Sequence, residues 1–558
     1  MKKIKYLIIL FSIVCLNSCE DDFLEEKPQD FFSAENSFVT NDDFDASINN
    51  LYGLTRREFF DRDENHPFDY LYGTDIVFDG EPQQSANRHS PMRTAYDPTG
   101  RIAKDHWGLL YKIVAESNTV IDRITDTELD EANKAAYKAK ALFFRGLAYR
   151  TLAYLYGGVP LILNEIKTPK DDFVRASKAD VLNQVIKDLT EAANNLPSIT
   201  NVNDGEIHNL AAYHLLSEVY ISVGKYQDAV DAATLVIDNP NTALMKDRFG
   251  SRTSETDKDV YWDLFRVNNQ NRKSGNTEGI WIIQFETDVS GGNLLSTSRR
   301  GFMLERHHGP FVRDLKIGDD KPFSWPVGDY SGGRGIGWAI STEYFSNTIW
   351  ESDFDNDMRN ANHNFVREFI STKSSSSHYG KIVSTEDPAL ADKVPSRQFY
   401  AYQSKCTTPY NHPENVYSNT ETYSLKGVAG STYTDQYMFR LAETYLLRAE
   451  AYLGLSQTTE AAANINEVRS RANANPVSPE NVNIEYILDE RMRELGVEEK
   501  RRLTLMRLGK LYDRIQKCNP FYRDMTDGMT ETYNLWPIPA SEIEANIGAV
   551  LEQNPGYN

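Results

Sequence analysis

The chain has 558 residues and a formal net charge of −21 at pH 7. A surface that acidic is repelled by nucleic acid and by anionic lipid over a Debye length, so neither is expected as a partner. The length exceeds what one hydrophobic core fills, so two lobes or a layered superhelix are expected.

At the start, Lys2, Lys3 and Lys5 precede an apolar run from Tyr6 to Leu16, the shape of a secretory signal. A run of about a dozen residues is too short to cross a bilayer, which takes roughly 20 in helix. It ends in Leu16-Asn17-Ser18-Cys19, which resembles a lipobox: an apolar residue three before the cysteine and a small one just before it. Residues 1–18 are therefore read as a signal peptide and Cys19 as the lipid-attached mature N-terminus. Residues 19–33, acidic at Glu20-Asp21-Asp22 and interrupted by Pro28, read as a tether from lipid to body. Acyl chains on Cys19 would hold the protein stably at a membrane. With Cys15 removed, Cys406 and Cys518 remain; they can pair in an oxidising compartment, but two cysteines make no disulfide framework.

Residues 34–256 read as an N-terminal helical scaffold. His106 to Ile124 places Leu109, Leu110, Ile113, Val114, Val120, Ile121 and Ile124 near one helix face. Lys134 to Tyr156 is more strongly patterned and stops at Gly157-Gly158 and Pro160. His208 to Asp238 and Asp435 to Ala472 repeat each other: Ser217 aligns with Ala449, Tyr220 with Tyr452, Ala229 with Ala461, Ala233 with Ile465 and Val236 with Val468. Small residue, tyrosine, alanine and a later apolar position at these intervals is tetratricopeptide spacing, in which small residues let paired helices approach. Arg448 stands where an apolar residue is usual. Residues 431–558 complete the scaffold, and the fold class is mainly α: a tetratricopeptide-like scaffold with an inserted loop-rich lobe containing short strands.

That lobe is residues 257–430, where Gly, Ser, Asn and Pro rise and strand-like runs such as Gly279 to Phe285 appear. Loops on a rigid scaffold are where binding resides. Catalytic and metal patterns are weak in it. Asp353, Asp355 and Asp357 begin like a calcium loop, but Met358 occupies the required glycine place and Asn364 the required glutamate place. His307-His308 lack the spaced partners of a zinc site and read as two solvated histidines. Gly332-Gly333-Arg334-Gly335-Ile336-Gly337 misses the phosphate-loop and dinucleotide spacings and reads as a flexible loop. No metal or cofactor is expected. Sugar binding needs an aromatic face for the apolar face of a pyranose, with polar side chains for the hydroxyls. Trp325, Tyr330 and Trp338 flank the glycine-rich loop and are the candidate ligand contacts, with Trp262 a fourth. Trp107, Trp281, Trp350 and Trp536 are assigned to core.

The chain resembles the SusD/RagB family. The resemblance rests on the lipobox followed by Leu24-Glu25-Glu26-Lys27-Pro28, on Trp107 to Ile121, on Ala139 to Pro160, and on Arg440 to Tyr452 with Glu443, Arg448 and Glu450. Glu490-Arg491, Arg493-Glu494-Leu495, Leu535 to Pro539 and Gln553 to Tyr557 close the chain as family members do. The middle aligns poorly, and Gly496 and Lys500-Arg501-Arg502 depart from the pattern. The resemblance implies a surface-exposed lipoprotein of the cell outer membrane that is not an enzyme. It would bind oligosaccharides without cleaving them, as a lid on a SusC-like TonB-dependent transporter. The alternatives are the family's peptide-binding branch, on the same scaffold, and a surface glycosidase, which would need two convergent carboxyls.

Overall fold

The computed structural model describes residues 38–82, 86–289, 301–323, 325, 328 and 332–557, so the signal segment, Cys19 and the tether lie outside the described residues. Helix α1 (Asn41–Phe60) opens on a capping box in which the Thr40 and Asp43 side chains each accept the other's backbone N–H. Helix α2 (Arg101–Arg123) buries Leu109, Leu110, Ile113, Val114 and Val120, the face its spacing predicts. Helix α3 (Glu131–Tyr156) begins at an Asp130 cap and is buried all round over its last two turns. It stops at Gly157, whose φ of +77° admits glycine readily.

Helices α4 (Lys178–Asn195), α5 (Asn209–Ser222) and α6 (Tyr226–Ile237) continue the stack. From α2 to α6 each helix packs on the next. The following neighbour of α6 is not the following segment of chain. It is α7 (Leu441–Gly454), which pairs in turn with α8 (Thr458–Arg471). The two segments that repeat in sequence thus stand side by side. Tyr220 and Tyr452, both partly buried, pack on the same small cluster of Ile221, Ala229, Val230, Leu447 and Ala451. Arg448 spans the junction: its guanidinium donates to Asn464 Oδ1 at 2.7 Å and to Thr234 Oγ1 at 3.1 Å. An arginine is accommodated there because both ends of its fork find acceptors.

Between α6 and α7 the α-helices among the described residues have five residues or fewer, and the strands are short. Strand β1 (Val77–Asp79) comes from the N-terminal half; the others named here are β2 (Gly279–Ile283), β3 (Ala339–Ser341), β4 (Glu368–Ile370), β5 (Ile382–Ser384), β6 (Tyr417–Asn419), β7 (Ser424–Leu425) and β8 (Gln436–Arg440). All pair antiparallel: β2 with β8, β1 with β3, β4 with β5, and β6 with β7. The β2–β8 ladder sets Tyr437 opposite Ile282 and delivers the chain into α7.

The insertion is fastened to the scaffold by buried ion pairs. Arg359 reaches Glu490 at 2.8 Å and Glu494 at 3.0 Å, both on α9 (Ile484–Glu494). Asp353 meets Arg469 of α8 at 2.6 Å. Two of the three aspartates that mimic a calcium loop, Asp353 and Asp357, are therefore engaged by arginines. Farther on, α10 (Arg501–Arg507) and α11 (Leu511–Cys518) supply Arg501 and Arg514, which hold the buried Asp75 at 2.7 and 2.8 Å. Arg502 donates to the carbonyls of Asp69, Tyr72 and Gly73. Cys406 and Cys518 are buried, free thiols, so the disulfide that their number allowed does not form. Trp107, Trp281, Trp350 and Trp536 are all core residues. No helix of the described residues is long and apolar enough to cross a membrane.

Candidate functional site

The glycine-rich segment is packed, not flexible. Gly332, Gly333 and Gly337 have φ of +86°, +75° and +64°. A Cβ would overlap the Tyr402 hydroxyl at 332, the Glu305 carboxylate at 333, the Gly309 backbone at 335 and the Arg397 carbonyl at 337. At Gly333 the missing side chain leaves a seat for Glu305. That buried carboxylate accepts the Arg334 backbone N–H at 2.8 Å, and its other oxygen lies 2.7 Å from His412 Nε2 and accepts the Thr407 hydroxyl at 3.1 Å. Glu305 thereby ties the loop that carries Arg334 to the segment that carries Tyr410.

His307 and His308, expected to be solvated, are fully buried just beside it. His307 stacks on Phe68 at 3.8 Å and sits 2.8 Å from the Tyr72 hydroxyl. His308 Nε2 accepts the Gln403 N–H at 3.0 Å, and Nδ1 lies 2.9 Å from the Ala339 carbonyl. Burial pushes both imidazoles down, His308 to about 4, so they are neutral packing groups. The short helix Leu304–His308 turns both inward; a dipeptide pattern alone carries no such information.

Tyr410 and Gly332 lie on a cleft of about 570 Å³ in the insertion, with Trp262, His363, Tyr402 and the exposed Ile370 of β4 in its walls. Next to it the 328 position bridges Ser424 of β7, and Tyr423 packs edge-on to Tyr410 with centroids 5.0 Å apart. Three large aromatics here face solvent: Trp325 at 45 %, Tyr410 at 47 % and Tyr423 at 39 % exposure. The two tyrosines carry no sequence signal beyond turn-forming neighbours such as Pro409 and Asn411, and were not anticipated.

Of the four aromatics singled out from sequence, the three among the described residues are placed differently from one another. Trp325 is exposed, with the guanidiniums of Arg313 and Arg334 at 5.1 and 5.7 Å from its ring. Trp338 is partly buried: its indole N–H donates to Glu81 at 2.7 Å, and Arg88 and Arg306 lie on its ring at 4.6 and 5.1 Å. Trp262 lines the cleft with 3 % of its surface open and Arg266 on its face at 3.7 Å. Tyr330 lies outside the described residues, as does Cys19.

For acid–base chemistry a cleft needs a carboxyl held protonated near neutral pH. At its edge Glu255 pairs with Arg252 and Asp257 with Lys258 at 2.5 Å, and Asp259 lies 2.6 Å from His363, while Glu368 of β4 lines the cleft with no ion pair among the described residues. Among the described residues the carboxyls pushed upward are Asp79 and Asp435, and neither lines the cleft. Asp435 rises to about 6 through burial and then through repulsion from Glu286 and Asp204.

The family model described as SusD family matches residues 277–557, and a second, described as starch-binding associating with outer membrane, matches residues 22–221. SusD-like protein P25 of Formosa agariphila is 23 % identical over 595 aligned residues that cover all of both chains. Starch-binding protein SusD of Bacteroides thetaiotaomicron is 37 % identical over 140 residues, 24 % of each chain. Among solved structures, a laminarin binding SusD-like protein superposes with a TM-score of 0.64 at 22 % identity, covering 93 % of this chain and all of that one.

Proposed function

The chain belongs to the SusD family, and on that premise we propose that it is a non-catalytic glycan receptor, held at the outer-membrane surface through Cys19, that passes oligosaccharides to a SusC-like TonB-dependent transporter. The observation that carries the reading is the solvent-facing Tyr410 on an open cleft, with Tyr423 packed edge-on to it and the solvent-facing Trp325 in the same lobe; of the three carboxylates that line the cleft, Glu255 and Asp257 are paired with cations. Exposed aromatic faces suit the C–H face of a pyranose, and paired carboxylates are poor general acids. Two proteins similar to this chain are named for binding starch and laminarin. In this reading the 257–430 lobe is the ligand-binding part and the helical stack is its support.

Calorimetry of the full-length protein in detergent against oligosaccharides and oligopeptides tests it. A shallow aromatic surface should bind saccharides with dissociation constants of about 1 μM to 1 mM. Release of reducing ends by the protein alone would overturn the non-catalytic assignment, and binding confined to peptides would overturn the glycan assignment.

A further inference from the structure

Beside the exposed indole, aromatic rings and guanidiniums alternate. Arg313 lies 4.3 Å from the Phe311 ring centroid and 5.1 Å from that of Trp325, Arg334 lies 5.7 Å from Trp325, and Arg397 lies 4.8 Å from Phe311. Arg397 is neutralised by Glu81 and donates to the Ile336 carbonyl at 2.8 Å. Asp314, the carboxylate nearest in sequence, is held by Lys321 at 3.2 Å. Among the described residues Arg313 makes no hydrogen bond and no ion pair; its partners are ring faces. Partial burial, with Arg397 as a like-charged neighbour, weakens its hold on the proton despite the opposing pull of Asp314, so its charge is imperfectly solvated.

A guanidinium that stacks through its face keeps its N–H edge free, and that edge matches the paired oxygens of a carboxylate or sulfate. In a chain of net charge −21, an unpaired cation beside an exposed tryptophan is a local exception to the field. We infer that the ligand is an anionic oligosaccharide: one sugar stacks on Trp325, and its acidic substituent, a uronate or a sulfate ester, is taken by the N–H edge of Arg313. This rests on the glycan-binding reading above and narrows its substrate class.

The test titrates full-length protein with galacturonate oligosaccharides, sulfated galactan oligosaccharides, maltoheptaose and laminariheptaose. At least one acidic series should bind tenfold or more tighter than both neutral glucans, and which series does so distinguishes carboxylate from sulfate. Arg313→Met should erase that preference, and Arg313→Lys, which keeps the charge but not the fork, should retain part of it. Neutral glucans binding as tightly as the acidic series, or undiminished acidic binding in Arg313→Met, overturns the inference and leaves the glycan reading standing. Failure to bind any of the four saccharides overturns both.

Discussion

Trp325 combines high exposure with a rigid aromatic face, so its removal should act on binding and not on folding. Trp325→Ala is expected to weaken saccharide binding several-fold, about 1 kcal/mol beyond area effects, with an unchanged melting temperature. Calorimetry paired with a thermal melt checks both halves. Gly335 is the opposite case, because the obstacle to a Cβ there is the Gly309 backbone, which cannot rotate away. Gly335→Ala should cost about 2 kcal/mol or more, while Gly427→Ala, where nothing lies within 4 Å, should be nearly neutral. Chemical denaturation of the two variants decides it.

At this scale the sequence was legible where composition dictates burial and illegible where a partner does. Four tryptophans in apolar runs or helices read as core, and they are. The glycines read as flexibility because the groups that fill the space of their missing side chains, Tyr402, Glu305, Gly309 and Arg397, are separated from them in the chain and leave no local mark. For the same reason His307-His308 looked solvated: Phe68, Tyr72 and Gln403, which enclose them, come from distant segments.

The element scale was the more legible one, since helix periodicity and repeat spacing are local. Helix α3 stops at Gly157 as its glycines and proline indicate, and the aligned tyrosines of the two repeats meet at one junction. Both tyrosines are partly buried, so Tyr220→Ala and Tyr452→Ala should each cost about 2 kcal/mol, below the 3–5 kcal/mol of a fully buried large aromatic. Urea unfolding reads this, and near-wild-type stability in both would show that the α6–α7 junction contributes little. What the repeat pattern could not give is Arg448 bridging Asn464 and Thr234, because its acceptors sit on two different helices.

Taken whole, the molecule is held by buried charges whose titration sets its pH range. Burial would raise Glu58 and Glu494, but His106 and His66 around the first, and Arg471, Arg440 and Arg359 around the second, hold both down at about 2. Their stabilising contribution is complete above the unfolded carboxylate range near 4.5 and is lost as pH falls through it toward 2. His89, His208 and His308 are lowered to about 4, chiefly by burial, so the unfolded chain protonates first and stability falls from about pH 6.5 downward. His106 is the reverse: although burial opposes it, Glu58 and Asp69 raise it to about 9, so its contribution is complete below about pH 6.5 and lost as pH rises through 9. The melting temperature should therefore decline as pH falls below about 6.5, whereas above neutrality the loss from His106 is opposed by Lys500 and Lys405, which burial lowers to about 7 and about 8. A scan from pH 4 to 10 by differential scanning fluorimetry checks this, and a rise between pH 6.5 and 5 would contradict the neutral histidines.

The contact between α6 and α7 joins helices separated by roughly 200 residues of chain, and this bears on how the protein comes to be assembled. Closing a loop of that length costs about 5 kcal/mol of chain entropy before any contact rewards it. Helices α1 to α6 each have at least one partner within the first half of the chain and can begin to stack as they emerge, whereas the α6 face lined by Ala229 and Val230 must wait for Leu447 and Ala451. Folding should thus proceed in two stages separated by the acquisition of the whole insertion, with an apolar seam left open in between. A truncated chain ending before α7 would keep that seam permanently uncovered and would be expected to aggregate.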